Sequence, residues 1–261
     1  MLPPPRPWNW RVFTLTGNYK VILQFDGTAY SGWQYQTPQI RTVQAELNRS
    51  LEIIAKERVL VTGSSRTDAG VHSHGLTANF HLAIPIAPES LQRALNSLLP
   101  DDIRVIECER VPRTFNARFG AKTKTYVYRI CRAQVISPFL VRFATHIPFP
   151  LNLAAMRRAI PHFLGRHDFS SFTSDEPNKN RMREIDRLEM KVRGDEITFT
   201  VVGKSFLRYM VRNIVGTLID VGRGKIAPAE IPGIFEARDR RKAGQTAPAK
   251  GLTLHKVEYE P

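Results

Sequence analysis

The 261-residue sequence predicts an α+β protein of two similar halves, each a mainly antiparallel sheet with helices on one face. Three observations lead there. Strand-like alternation and helix-like periodicity follow one another in the order β-α-β-β-α-β, and that order then begins again. A Gly194-Asp195 pair between two alternating runs marks a hairpin in the second half. The basic excess is shared out: 16 basic against 10 acidic residues over 1–130, and 22 against 14 over 131–261. That distribution belongs to a folded body and not to a charged tail. The expected organisation is a loose, proline-rich arm over 1–18, one half over 19–115 and another over 116–261.

Tyr19–Phe25 alternates as a strand and stops at the turn pair Asp26-Gly27. Thr42 is a plausible N-cap for a helix with Val43, Leu47, Leu51 and Ile54 on one face. A short strand at Val59–Val61 leads into a glycine-rich loop, Gly63–Gly75, and a strand from Leu76 to Leu82. Pro88-Glu89-Ser90 opens a helix carrying Leu91, Leu95, Leu98 and Leu99, and Ile103–Val111 closes the first round. The second round starts with the strand Thr123–Cys131 and an amphipathic helix over Asn152–Gly165. The hairpin strands Arg187–Val192 and Glu196–Val202, a helix over Phe206–Val221 and a strand over Leu252–Tyr259 complete it. Ser174–Arg183 and Arg238–Gly251 read as basic, polar loops, either solvated linkers or phosphate contacts.

A formal charge of +14, with 27 Arg and 11 Lys, points to a polyanionic partner, nucleic acid before membrane. Cys108 and Cys131 are far apart and form no CxxC, which argues for a reducing, cytoplasmic setting and against a disulfide scaffold or structural zinc. No apolar run approaches the ~20 residues a membrane-spanning helix requires. Gly222-Arg223-Gly224-Lys225 lacks the spacing and the hydroxyl residue of a phosphate-binding loop, so nucleotide hydrolysis is not indicated.

The loop "GSSRTDAGVHSHG" (Gly63–Gly75) holds a single carboxylate, Asp68, with Arg66 two residues before it. Asp68 is either a turn residue bonding nearby N–H groups or a nucleophile or base presented on a glycine-permitted bend. His72 and His74 form an HxH, but no second acid or cysteine cluster completes a metal site, and none is expected. Tyr126 and Tyr128 share a face of their strand, as half-buried packing or as a platform for a base. Arg208 and Arg212, read as one helical turn apart, are either solvated or face a cleft where Arg212 can keep a carboxylate ionised.

Together these stretches resemble the tRNA pseudouridine synthase A (TruA) family. The resemblance runs through "FDGTAYSGWQYQ" (Phe25–Gln36), "TVQAELNRSL" (Thr42–Leu51), "SRTDAGVHS" (Ser65–Ser73) and "LNSLLPDDIRV" (Leu95–Val105). It continues through "FNARFGAKTKTYVYRI" (Phe115–Ile130), "FLGRHDFSSF" (Phe163–Phe172) and "FLRYMVRNIVGTLIDVG" (Phe206–Gly222), in the family's order. It implies that Asp68 is the catalytic aspartate, that Tyr126 stacks on the target uracil, and that Arg212 salt-bridges the aspartate. Arg66 matches a basic residue implicated in holding or flipping the nucleotide. Arg118 and Arg208 join Arg66 and Tyr126 as expected substrate-binding residues. Ser65 stands where the family usually has glycine, which predicts a slightly stiffer loop without lost chemistry. The implied architecture joins the two sheets over a central basic cleft, the pseudouridine synthase fold. The implied substrate is uridine at positions 38 to 40 of tRNA, in the anticodon stem-loop, bound by a homodimer. Isomerisation involves no net redox change or hydrolysis, so no cofactor is expected. The alternative is an RNA-binding protein or chaperone that uses the same basic cleft without chemistry.

Overall fold

The computed structural model describes residues 17–174 and 180–260. Trp8 and Trp10 of the expected arm lie outside the described residues, as do residues 175–179 of the expected basic loop. The first half contains β1 (Gly17–Phe25), α1 (Val43–Ala55), β2 (Thr62–Gly63), β3 (His72–Leu82), α2 (Pro88–Leu98) and β4 (Ile103–Val111). The second opens with β5 (Thr123–Cys131), β6 (Thr145–His146), α3 (Leu153–Ala159), β7 (Gly165–Asp168) and β8 (Met182–Ile185). It continues with β9 (Arg187–Arg193), β10 (Glu196–Gly203), α4 (Met210–Gly222), α5 (Ile231–Ala237) and β11 (Leu252–Glu258).

Strand pairing makes the internal repeat explicit. In the first half β4 pairs with β1, β1 with β3 and β3 with β2; in the second β11 pairs with β5, β5 with β10 and β10 with β9. Substituting β5, β9, β10 and β11 for β1, β2, β3 and β4 converts one order into the other, and every one of these pairs is antiparallel. The halves fuse into one sheet where β11 runs parallel to β3 through two residue pairs, Thr253 with His72 and Leu254 with Ser73. β7 and β8 form a separate two-stranded ribbon.

Period-two burial drives the central strands. Tyr19, Val21, Leu23 and Phe25 of β1, and Tyr126, Tyr128 and Ile130 of β5, all point into apolar surroundings. The helices cover this surface in pairs, α1 against α2 and α3 against α4. Thr42 caps α1 by accepting from the Ala45 N–H at 3.3 Å, and Val43, Leu47 and Leu51 bury its apolar face. α4 is buried at twelve of its thirteen positions, all except Arg212, and so forms the central helix of the second half.

Four expected boundaries shift, each for a local reason. The strand expected at Val59–Val61 is instead the two-residue β2, because only Thr62 and Gly63 reach Asn79 and Ala78 of β3. β3 begins at His72 and not Leu76, so the loop proper is shorter than the run of glycines suggested. α3 gives way at Ile160 to a 3₁₀ turn over Ile160–Phe163, where Pro161 has no N–H to continue an α-helix. The helix expected from Phe206 starts at Met210, because Tyr209 adopts a left-handed conformation (φ 61°).

Candidate active site

The segment between β2 and β3 carries Asp68, and the Phe25–Gln36 stretch holds it in place. The Trp33 N–H donates to the Thr67 carbonyl at 3.2 Å, and the Gly70 N–H donates to the Tyr30 carbonyl at 3.2 Å. Trp33 is fully buried, and its indole lies so close to Gly63 that a Cβ there would sit 2.5 Å from it. Gly70 turns the chain with φ +76°, a conformation that favours glycine. The glycines therefore let a loop pass over a tryptophan and turn sharply after Asp68.

Asp68 comes from the first half, and its partner comes from the second. Arg212 Nη1 lies 3.1 Å from Asp68 Oδ2, and the two side chains are 14% and 18% exposed. Their pairing is a charge-assisted hydrogen bond largely shielded from solvent. Arg212 is itself fixed: its Nε donates to the Ala247 carbonyl at 2.8 Å, and its guanidinium lies 5.0 Å from the centre of the Tyr209 ring.

The Arg238–Gly251 stretch, expected as a solvated linker or phosphate contact, is a strap across α4. The Ala247 N–H returns a bond to the Arg212 carbonyl at 3.1 Å, and the Gly244 N–H donates to Thr217 Oγ1 at 3.0 Å. Half-buried Arg240 donates to Asn213 Oδ1 at 2.9 Å and to Thr246 Oγ1 at 3.0 Å, while Thr246 donates to Asn213 at 2.7 Å. Tyr128 donates to the Pro248 carbonyl at 2.8 Å from the other side. Sequence reasoning missed this role because Arg240 is one basic residue among several; the available signal was the polar row Asn213, Thr217 and Asp220 along one face of a largely apolar helix.

Tyr126 is 8% exposed and meets Phe206 edge-on, with ring centres 5.2 Å apart. Burial pushes its phenol up to about 12, against a lowering influence from Ser65, and the nearby Asp68 charge adds to the rise. Ser65 is buried beside that phenol and so borders the site. Tyr128, on the same strand face, is fully buried and bonded to Thr145 and Pro248, so it is a packing residue.

The remaining expected contacts are at the surface. Arg66 is exposed and makes no hydrogen bond or ion pair to another described residue. Arg118 is exposed, with its guanidinium 5.5 Å from the Phe119 ring. Arg208 is exposed and lies over Tyr209 at 4.8 Å. It is not one helical turn from Arg212 as expected, because the left-handed Tyr209 separates it from α4. The histidines divide between scaffold and surface. His72 is buried, accepts from the Gly27 N–H at 3.0 Å and bonds the Arg142 carbonyl at 2.9 Å, whereas His74 is exposed beside His255. Among the described residues no group of three His, Cys, Asp or Glu side chains is placed to hold a metal. No described helix is long and apolar enough to cross a membrane.

The geometry thus unites a shielded carboxylate, an arginine that favours its charged form, and an aromatic ring, at the junction of two β-α-β-β-α-β halves. The family described as tRNA pseudouridine synthase matches residues 21–120 and 159–260. A tRNA pseudouridine synthase A from Geobacillus sp. (strain WCH70) is 43% identical over 243 residues, 92% of this chain and 98% of that one. One from Exiguobacterium sp. (strain ATCC BAA-1283 / AT1b) is 44% identical over 242 residues, 92% of this chain and 97% of that one. Among solved structures, an archaeal box H/ACA sRNP complex aligns with 77% of this chain and 43% of its own at 12% identity and a TM-score of 0.35, a likeness too slight to bear on the site. The match to the family spans both halves and includes Asp68 and Arg212, and the relatives are aligned over nearly their full length: this chain belongs to the tRNA pseudouridine synthase family.

Proposed function

We propose that the protein isomerises uridine to pseudouridine in the anticodon stem-loop of tRNA, with Asp68 as the catalytic carboxylate. The observation that carries this reading is the shielded Asp68–Arg212 pair, 3.1 Å apart, with Tyr126 close enough to feel the Asp68 charge. The reaction breaks the bond from C1′ to N1 of uracil, forms one from C1′ to C5, moves a proton onto N1 and releases one from C5. A carboxylate is chemically competent to begin it by attacking C1′ or C6, or by taking a sugar proton. Each route requires the ionised form, which an adjacent guanidinium favours. Tyr126 holds the freed base while it turns. Because only 8% of Tyr126 is open, the base reaches it by displacing a neighbour, and Phe206, edge-on to the ring, stands in that position.

The target base is stacked in the stem-loop, so it must be flipped out at a cost of a few kcal/mol. Arg66, Arg118 and Arg208 are exposed cations around the site and supply phosphate or base contacts that offset this cost. We assign the halves to 19–115 and 116–261, with catalysis at their junction. We also propose that the enzyme works in the cytoplasm as a homodimer, consistent with unpaired Cys108 and Cys131 and with the exposed apolar side chains Val135 and Phe139.

Unmodified tRNA carrying tritium at uracil C5 tests the activity. Isomerisation releases that tritium, and mapping of the product places pseudouridine on the 3′ side of the anticodon stem-loop. Binding without release would make the protein a non-catalytic RNA binder, and modification elsewhere would overturn the assigned substrate position.

A further inference from the structure

Lys124 is an unusual residue for the interior edge of a sheet. It lies on β5 two positions before Tyr126, so the two side chains leave the same face, with their backbones about 7 Å apart. Its Nζ donates to the Ser64 carbonyl at 2.6 Å, at the start of the loop that carries Asp68. That is its single hydrogen bond among the described residues, although an ammonium group has three donors. No described carboxylate pairs with it. Its charged neighbour is another cation, Arg118, which also makes no ion pair with a described residue. Burial, with Arg118 adding to the effect, depresses the Lys124 ammonium to about 8.

A largely covered cation without a counter-ion destabilises the fold that contains it. Pinning the Ser64 carbonyl does not require a charge, since a neutral donor also satisfies a carbonyl. The two adjacent cations instead lack an anion, and the surface they border is where Tyr126 and Asp68 meet the substrate. We infer that Lys124 and Arg118 form a phosphate subsite that takes a backbone phosphodiester of the RNA next to the nucleotide held at Asp68. This subsite rests on the reading of the protein as a tRNA-modifying enzyme and adds to it a specific anchor at the second strand of the junction. The ammonium contacts phosphate and not the reacting atoms, so Lys124 is a positioning residue. An adjoining phosphate also restores its charge, because the anion opposes the effect of burial.

Binding of unmodified tRNA by wild type, Lys124→Met and Lys124→Arg, measured across salt concentrations, tests the subsite. Lys124→Met is expected to weaken binding about tenfold and to reduce the slope of log affinity against log salt by about 1. Lys124→Arg is expected to retain most of the affinity. Between about pH 7 and pH 9.5 wild-type affinity should fall more steeply than that of Lys124→Arg, which stays charged throughout. Wild-type affinity and salt slope in folded Lys124→Met would overturn the subsite, as would coincident pH profiles for wild type and Lys124→Arg if the Met variant does not fold. A different result bears on the enzyme itself: wild type that releases no tritium from C5-labelled tRNA is not a pseudouridine synthase, whatever Lys124 does.

Discussion

Asp68 and Arg212 are separated by 144 positions in the chain and by 3.1 Å in space. Neither residue announces its role alone. An aspartate before Ala-Gly is ordinary turn chemistry, and an arginine on an amphipathic helix is ordinary surface. What distinguishes them is shielding: the carboxylate and the guanidinium are held largely out of water, where a charge-assisted pair is strong. Arg212→Met is therefore expected to lower kcat by at least about 100-fold with tRNA binding largely retained, because it removes the guanidinium that holds the Asp68 carboxylate. A kcat unchanged from wild type would detach Arg212 from Asp68. Lys124 makes a second residue-scale prediction, and its sign follows from its depressed value of about 8. Below pH 8 the lysine is charged in both folded and unfolded chains, and burial penalises the folded one. Between about pH 8 and pH 10 the unfolded lysine still holds its proton while the folded one has lost it, so the penalty is relieved. Relative to Lys124→Met, wild type should gain stability over that window, on the order of 2 kcal/mol, in denaturant titrations.

At the scale of elements, the strap over 238–251 and the Phe25–Gln36 segment are as much a part of the site as the residues that face substrate. The strap links Arg240, Asn213 and Thr246 and delivers the Ala247 carbonyl to Arg212. Thr246→Val removes a hydroxyl that bonds two of these groups, whereas Thr246→Ser keeps it. The valine variant should lose about tenfold in kcat with little change in KM, and the serine variant should approach wild type. Equal activity in the two would reduce the strap to packing. On the other side of the site, Gly63→Ala drives a methyl group into the buried Trp33 and should cost about 1–3 kcal/mol in thermal or denaturant unfolding. The sequence made the helices legible through their caps and periodicity, as with Thr42 and Pro88. It concealed the start of α4, because the left-handed Tyr209 interrupts an unbroken apolar rhythm. It concealed most of the strap, because Arg240 and Thr246 are polar residues of ordinary loop type and the remaining bonds, from the Gly244 and Ala247 N–H groups, are made by backbone.

At the scale of the molecule, the repeated β-α-β-β-α-β order was readable in the residue pattern, whereas the joining of the two sheets was expected only through the family resemblance. β3 and β11 join through two residue pairs, Thr253 with His72 and Leu254 with Ser73, from opposite halves of the chain, and strand periodicity states which face is buried but not which strand is the neighbour. Fusion creates the site, since it brings the Asp68 loop from one half against Tyr126 and Arg212 from the other. Charge follows the same geometry: +14 is spread through both halves, so tRNA affinity should depend on many contacts. If 6–10 phosphates are engaged, affinity should fall by roughly 10³–10⁵ between 50 and 200 mM salt.

The central claim is that Asp68 performs chemistry and does not merely shape a turn. The most direct measurement is single-turnover release of tritium from C5-labelled uridine in unmodified tRNA, with wild type and Asp68→Asn compared at saturating enzyme. Folded Asp68→Asn is expected to bind tRNA yet release tritium at least about 10³-fold more slowly than wild type. Release at the wild-type rate by that variant would return Asp68 to the role of a turn residue.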